Sequence, residues 1–211
     1  KPTGVACADT YIPDTGETLI TLGSAGYTVK EASYYVRKSI NLYDTFVAQV
    51  KRAPKANEKV RFITTCAVAF VGKDSTTPAI TVGNFDSSVK LSFLNFGAIV
   101  GGGGQGSTVI PFISNMYFCT DPSMLPQNGG DAIMGSTTAT LNVSNYGTIA
   151  GGGGGGSCGN GGDTGAGGGG APYGLAGESD RFAKAPLPTS ATFLVPGSGG
   201  NAGGTRFTRY G

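Results

Sequence analysis

Two stretches of this sequence repeat one pattern: VKLSFLNFGAIVGGGG over Val89–Gly104 and ATLNVSNYGTIAGGGG over Ala139–Gly154. The second copy begins 50 residues after the first, and leucine, asparagine, an aromatic residue, glycine and isoleucine recur at matching positions. Each copy predicts a strand, an Asn-aromatic-Gly turn, a second strand of two or three apolar residues and then a glycine run. The repeat therefore predicts short strands that feed into glycine-rich segments.

Glycine is concentrated after the first of these strands, because only seven of the 38 glycines precede residue 101. Glycine-rich sequence is often a flexible linker, and that alternative stays open. Serine is sparse within the runs, however, and strands lead into them. Glycine also lets backbones approach closely, as in collagen, so we expect runs in the polyproline II conformation that share backbone hydrogen bonds.

The first part of the chain has ordinary composition and contains one predicted helix, over about 41–52. Asn41 can cap it, Asp44 suits its N-terminal dipole, and apolar residues recur at helical spacing up to Val50. Pro54 ends it.

Strands are predicted on both sides of this helix. Residues 18–22 form a short one, residues 60–71 a strand buried on both faces, and residues 89–100 another. Residues 28–38 fit either a helix start or a strand.

The predicted fold is mainly β. Residues 1–88 form a small α/β N-terminal part with one short helix. Residues 89–211 form a glycine-rich stack of short β-strands and polyproline II-like polyglycine segments, with variable inserts at 107–129 and 171–196.

Composition argues against several functions. The chain has no histidine, so the commonest general base is missing. Glu178 and Asp180 are the only acids that imitate a glycosidase pair, and two acids in one loop are usually just solvated. No Gly-Lys-Ser/Thr follows a glycine run, and a net charge of +2 does not indicate nucleic acid binding. We expect no enzyme, no cofactor and no metal.

The four cysteines do not form a metal motif, because their spacing is wide and includes no CxxC pair. They are either free thiols or contribute one disulfide whose pairing the sequence does not decide. The four are Cys7, Cys66, Cys119 and Cys158.

The repeat resembles the glycine-rich modules at the distal end of tailed-bacteriophage receptor-binding tail proteins. The stretches 129–133 and 167–172 fit the same pattern, and residues 41–78 resemble the segment that precedes these modules. Lambda-like host-specificity central tail fibres and T-even-type tail fibre adhesins both share it. The N-terminal region shows no recognisable fibre-attachment segment, which favours a piece of a longer tail-tip or fibre protein over a separately encoded adhesin.

The resemblance implies a virion protein at the tail tip or fibre end that attaches the phage to a bacterial outer-membrane protein or surface glycan. Other tail subunits are the implied further partners. Such fibres are often homotrimers and the adhesins are monomers, so the oligomeric state stays open. The alternative is a structural fibre or baseplate component with no receptor contact.

Receptor contacts are expected in the inserts, since a rigid scaffold leaves recognition to its connecting loops. Aromatic, methionine and arginine side chains are enriched at interfaces, although the same residues can form a small core or an ordinary loop. The tail around Arg206 and Tyr210 is a third candidate or a frayed end. The insert candidates are Phe112, Met116, Tyr117, Phe118, Met124, Leu125, Tyr173, Leu175, Arg181 and Phe182.

Overall fold

The computed structural model divides the chain into two compact units that alternate along the sequence. The first unit comprises residues 1–73, 77–101 and 131–151, and the second comprises 74–76, 102–130 and 152–211. The sequence predicted a boundary at residue 88 because the composition changes there. In the structure, each unit is built from three separate stretches of the chain. The residues that the structure describes are 16–23, 30–31, 34–108, 125–135, 138–157, 166–177 and 187–199.

The first unit contains the regular secondary structure, and the mainly β fold with one short helix is confirmed. Its strands are two to six residues long. Within the described residues they are β1 (Glu17–Leu22), β2 (Lys30–Glu31), β3 (Tyr34–Lys38), β4 (Ile40–Asn41), β5 (Lys59–Thr64), β6 (Val68–Val71), β7 (Ile80–Thr81), β8 (Lys90–Asn95), β9 (Ala98–Val100), β10 (Ile133–Met134), β11 (Leu141–Asn145) and β12 (Thr148–Ala150), with helix α1 at Leu42–Val50.

The strands form three sheets, with orders β1-β5-β8-β11, β12-β9-β6-β3-β2 and β10-β7-β4. The chain visits the three sheets in turn and then begins again, and every pair except β2–β3 is parallel. This arrangement is a parallel β-helix in which each coil lies on the one before it. The residues predicted to form a small α/β part, 1–88, contain the first coils of this β-helix.

The 50-residue repeat corresponds to two neighbouring coils. Leu141 lies in register with Leu91, Asn145 with Asn95 and Ile149 with Ile99. The prediction of a strand, a turn and a shorter strand in each copy is confirmed.

Two predicted strands are wrong in extent, because each bends at a corner between sheets. The strand expected over 60–71 divides into β5 and β6, separated by a turn in which the Val68 N–H bonds the Thr65 carbonyl at 3.3 Å. The strand expected over 89–100 divides into β8 and β9 around Gly97. A Cβ on Gly97 would overlap the Val68 carbonyl oxygen, so the corner requires glycine.

The core of the β-helix is apolar and aromatic. Phe62, Phe93 and Leu91 are buried on the first sheet, Phe70 and Ile99 on the second. The predicted helix is confirmed: Asn41 caps α1 by accepting a hydrogen bond from the Asp44 N–H at 3.2 Å. The helix buries Leu42 and Phe46. Lys51 takes a left-handed conformation at φ 62°, and this ends the helix three residues before Pro54, the residue predicted to end it.

Polar side chains form a ladder at one corner of the coils. The Thr64 Oγ1 donates to Asn95 Oδ1 at 2.8 Å, and Asn95 Nδ2 donates to Asn145 Oδ1 at 2.8 Å. Thr64 and Asn95 are completely buried. Their hydrogen bonds satisfy these polar atoms and fix the register of three consecutive coils.

Cys66 lies at the corner after β5 and is disulfide-bonded. Free thiols are therefore excluded for this residue. The other three cysteines lie outside the described residues.

Candidate functional site

The second unit is held together by backbone hydrogen bonds between glycine-rich segments. The bonds recur at every third residue along each pair of segments, and three residues per turn is the period of the polyproline II helix. Four of them show the period: Gly103 N–H to Pro172 O (2.7 Å), Gly106 N–H to Leu175 O (2.9 Å), Gly104 N–H to Gly153 O (2.8 Å) and Ser107 N–H to Gly156 O (3.0 Å).

Segment 102–107 is the centre of this glycine stack. It makes backbone hydrogen bonds with segments 127–130, 152–156, 167–170 and 172–177. The neighbouring segments leave no space for a Cβ at the four glycines of this segment, so the stack takes its stability from hydrogen bonds rather than from an apolar core.

The close approach explains why these positions are glycine. A Cβ on Gly103 would overlap the Gly170 carbonyl oxygen, and a Cβ on Gly167 would overlap the Gly156 carbonyl oxygen. Gly154 differs, because its nearest atom to an added Cβ would be the Gln127 carbonyl oxygen at 3.6 Å. The runs therefore contain both obligatory and replaceable glycines.

One end of the stack is defined by four residues that are joined by hydrogen bonds. Ser107 donates to Gly156 O at 3.0 Å and accepts from the Gly167 N–H at 3.0 Å, and the Gly177 N–H donates to Gly167 O at 2.9 Å. We call this the insert end.

Three segments leave the stack directly beyond these residues. Residues 109–124 follow Thr108, residues 158–165 connect positions 157 and 166, and residues 178–186 follow Gly177. All three lie outside the described residues, yet each is attached at the insert end. Sequence positions far apart are thus brought to a common end of the stack.

The opposite end of the stack is formed by three other glycines and an exposed turn. Gly102, Gly130 and Gly152, where the chain enters or leaves this unit, are linked there by the bonds from Gly130 to Gly102 (2.7 Å) and from Gly152 to Gly130 (2.9 Å). A turn closed by the Thr192 N–H and the Val195 carbonyl (3.0 Å) exposes apolar side chains near this end.

The predicted contact residues fall into three groups. Leu125 and Leu175 are 47% and 62% exposed, and both lie toward the insert end. Tyr173 lies toward the opposite end, where its ring stacks on Phe193 with centroids 6.3 Å apart and its hydroxyl oxygen is buried. Phe112, Met116, Tyr117, Phe118, Met124, Arg181 and Phe182 lie outside the described residues, as does the tail around Arg206.

Sequence reasoning missed one exposed residue at the insert end. Leu187 is 54% exposed and directly follows the segment 178–186. The sequence could have indicated its exposure, because Leu187 precedes Pro188 and lies next to the segment 178–186.

The described residues of the stack are almost uncharged, since Asp74 is the one side chain among them that is charged at neutral pH. No group of three potential metal ligands occurs in the described part of the chain. The helix that this part contains is too short to cross a membrane. The Ser107 hydroxyl is completely buried without a hydrogen-bond partner.

Comparison with known proteins gives a family and a related fold. None of the curated proteins matches the sequence. The crystal structure of the gp37-gp38 adhesin tip complex of the bacteriophage S16 long tail fiber has a similar fold, with a TM-score of 0.57 and 22% identity. The match covers 89% of this chain and 63% of the solved chain.

The family model described as "Phage tail fibre adhesin Gp38" matches residues 25–211. It confirms the resemblance to phage tail proteins, and it assigns the chain to the adhesins, whereas the N-terminal region had favoured a tail-tip or fibre protein. The expectation of a protein of the distal tail fibre is confirmed with it, and the family is not a class of enzymes. The chain belongs to the Gp38 family of phage tail fibre adhesins.

Proposed function

We propose that this chain attaches the virion to a protein of the bacterial outer membrane through the insert end of its glycine stack. The arrangement of Ser107, Gly156, Gly167 and Gly177 carries the proposal, because it joins three separate inserts to one end of a rigid scaffold. Binding residues are often found on loops that such a scaffold positions.

The chemistry of this end favours a protein receptor. The exposed side chains of Leu125, Leu175 and Leu187 are apolar, and apolar anchors are typical of protein interfaces. Recognition of phosphorylated glycans relies on arginine and lysine clusters. The described residues of the stack contain neither arginine nor lysine.

The test exchanges the inserts with those of a family member that infects another host. The purified chain, with residues 109–124, 158–165 and 178–186 replaced singly and together, is added to cells of both hosts, and bound protein is measured by fluorescence. We expect binding to follow the inserts. Binding that stays with the original host would favour the alternative of a structural fibre component without receptor contact.

A matched pair of substitutions tests the two ends of the stack. Leu175→Ser at the insert end removes an exposed anchor, and truncation of an interface anchor costs about 1–2 kcal/mol, roughly a 5- to 30-fold loss of affinity. Leu194→Ser at the opposite end changes a side chain that is 63% exposed and should leave binding intact. Equal losses would contradict the assignment of the insert end.

The receptor class is tested with host strains that lack single outer-membrane proteins and with strains that have truncated surface glycans. We expect loss of binding in one of the protein deletions. Binding that disappears only when the glycan is truncated would assign the receptor to the glycan. We also propose that the chain has no enzymatic activity, which incubation with host surface glycan and analysis of released sugars would check.

The partners within the virion are proposed to be other tail fibre subunits. The solved structure of similar fold is itself a complex of gp37 with gp38. Co-expression of this chain with fibre subunits of its own phage, followed by size-exclusion chromatography, tests the association.

A further inference from the structure

One carboxylate in the β-helix has four hydrogen-bond donors around it. Glu58 Oε1 accepts from Thr18 Oγ1 at 2.6 Å and from Arg52 Nη2 at 2.7 Å. Its Oε2 accepts from Arg52 Nη1 at 2.8 Å and from the Lys55 backbone N–H at 2.7 Å. A carboxylate offers about four acceptor sites, so this group is saturated. The Glu58 side chain is only 8% exposed.

These bonds connect parts of the chain that are far apart in sequence. Thr18 belongs to β1, 40 residues before Glu58, whereas Arg52 and Lys55 belong to the segment after α1. Strand β1 is the outer strand of its sheet and pairs, among the described strands, with β5 alone. An outer strand is paired along one edge only, so the side-chain link adds to the six residue pairs that β1 makes with β5.

We propose that Glu58 is an acid-sensitive latch that holds strand β1 on the β-helix. The ionised carboxylate accepts all four hydrogen bonds. Protonation places a hydrogen on one oxygen, and that hydrogen meets groups that can only donate: Arg52 Nη1 and the Lys55 N–H at Oε2, or Arg52 Nη2 at Oε1. The charge-assisted pairing with Arg52 is then lost, and the link between β1 and the segment after α1 is weakened.

The electrostatics of the site set the pH range of the latch. The Arg52 guanidinium, followed by Thr18 and the Lys55 N–H, lowers the pKa of Glu58 from 4.5 to about 2, against the opposing effect of burial. Because the folded-state pKa lies below the unfolded value, the stabilisation is complete above about pH 4.5 and is lost as the pH falls toward 2. The latch is closed at neutral and mildly acidic pH.

The other charged groups on the surrounding elements do not replace this link. Glu17 on β1 pairs with Arg61 on β5 at 2.7 Å, which is a second tie between these strands. Lys90 on β8 approaches Glu58 through its backbone N–H, which donates to the Glu58 carbonyl at 2.8 Å. Arg52 supplies the ion pair to the Glu58 carboxylate.

Hydrogen–deuterium exchange followed by mass spectrometry tests the latch at pH 7. Glu58→Gln keeps the size of the side chain and removes the charge. We expect exchange in residues 17–22 to accelerate at least tenfold, while residues 59–64 and 90–95 keep their protection. Asp86→Asn is the control, because that exposed carboxylate accepts hydrogen bonds only from its neighbour Ser88 among the described residues.

Unchanged exchange in residues 17–22 of Glu58→Gln would overturn the proposal, and so would equal acceleration in all three strands, which indicates general destabilisation. Thr18→Val is a milder variant that keeps the Arg52 pair and removes only the link to β1. It should accelerate exchange in residues 17–22 alone. Loss of protection elsewhere, or no change, would count against the latch.

Discussion

The glycine stack makes a sharp prediction about two glycines that look equivalent in sequence. Gly103 and Gly154 both lie in runs of at least four glycines. An added Cβ on Gly103 would overlap the Gly170 carbonyl oxygen and lie 2.7 Å from the Pro172 carbonyl oxygen. On Gly154 the nearest atom would be 3.6 Å away, which is ordinary van der Waals contact. We predict that Gly103→Ala is destabilising and Gly154→Ala is not.

The magnitude follows from the bonds that must move. Relief of the overlap at Gly103 displaces the bonds from Gly103 to Pro172 (2.7 Å), from Gly104 to Gly153 (2.8 Å) and from Gly170 to Gly104 (2.9 Å). At about 0.5–1.5 kcal/mol each, their loss costs roughly 1.5–4.5 kcal/mol. Alanine returns about 0.4–1 kcal/mol by restricting the unfolded chain, so the net loss is roughly 1–4 kcal/mol.

Differential scanning calorimetry measures this difference. For a chain of this length, about 2–4 °C of Tm accompanies each kcal/mol, so Gly103→Ala should lower the Tm by roughly 2–16 °C. Gly154→Ala should leave it unchanged or raise it by about 1–4 °C. Equal effects of the two substitutions would refute the close-packed stack and favour a flexible linker.

Three further predictions follow from buried and charged groups. Ser107→Ala removes a buried hydroxyl that has no partner, and we expect a gain of up to about 1 kcal/mol in urea unfolding; a clear loss would reveal a bond to this hydroxyl. Asn95→Ala breaks the buried ladder and should cost about 2–4 kcal/mol in the same assay, whereas Asn145→Ala at its exposed end should cost clearly less. The lowered pKa of Glu58 means that wild-type Tm should fall more steeply than that of Glu58→Gln between pH 4.5 and 2, and parallel pH profiles would contradict this.

The β-helix could be anticipated in part from the repeat. The alternation in residues 89–95 corresponds to inward and outward faces, and the spacing of 50 residues between the two copies corresponds to the register of β8 and β11. Asn41, with helical spacing after it, determined the start of α1. These features depend on residues close in sequence.

The corners and the remaining coils could not be predicted in this way. Strand β5 pairs with β8 at an offset of 31 residues and β6 with β9 at an offset of 29, and no sequence repeat marks either pair. The corner after β5 carries apolar residues, so its pattern continues the strand. Only the fold shows that the chain turns there, with the Val68 N–H bonded to the Thr65 carbonyl, whereas the turn at Gly97 was marked by the Asn-aromatic-Gly pattern.

For the candidate site, the sequence by itself favoured a scaffold role for the glycine runs and predicted recognition in the segments between them. It also identified the exposed leucines at 125 and 175. The tertiary structure decided which ends of the segments meet, because hydrogen bonds between Ser107, Gly156, Gly167 and Gly177 join positions up to 70 residues apart. The structure also places Tyr173 toward the end of the stack opposite the insert end. Glycine carries no side chain by which a sequence could specify its neighbours, so their alignment is fixed only by backbone bonds in the folded chain.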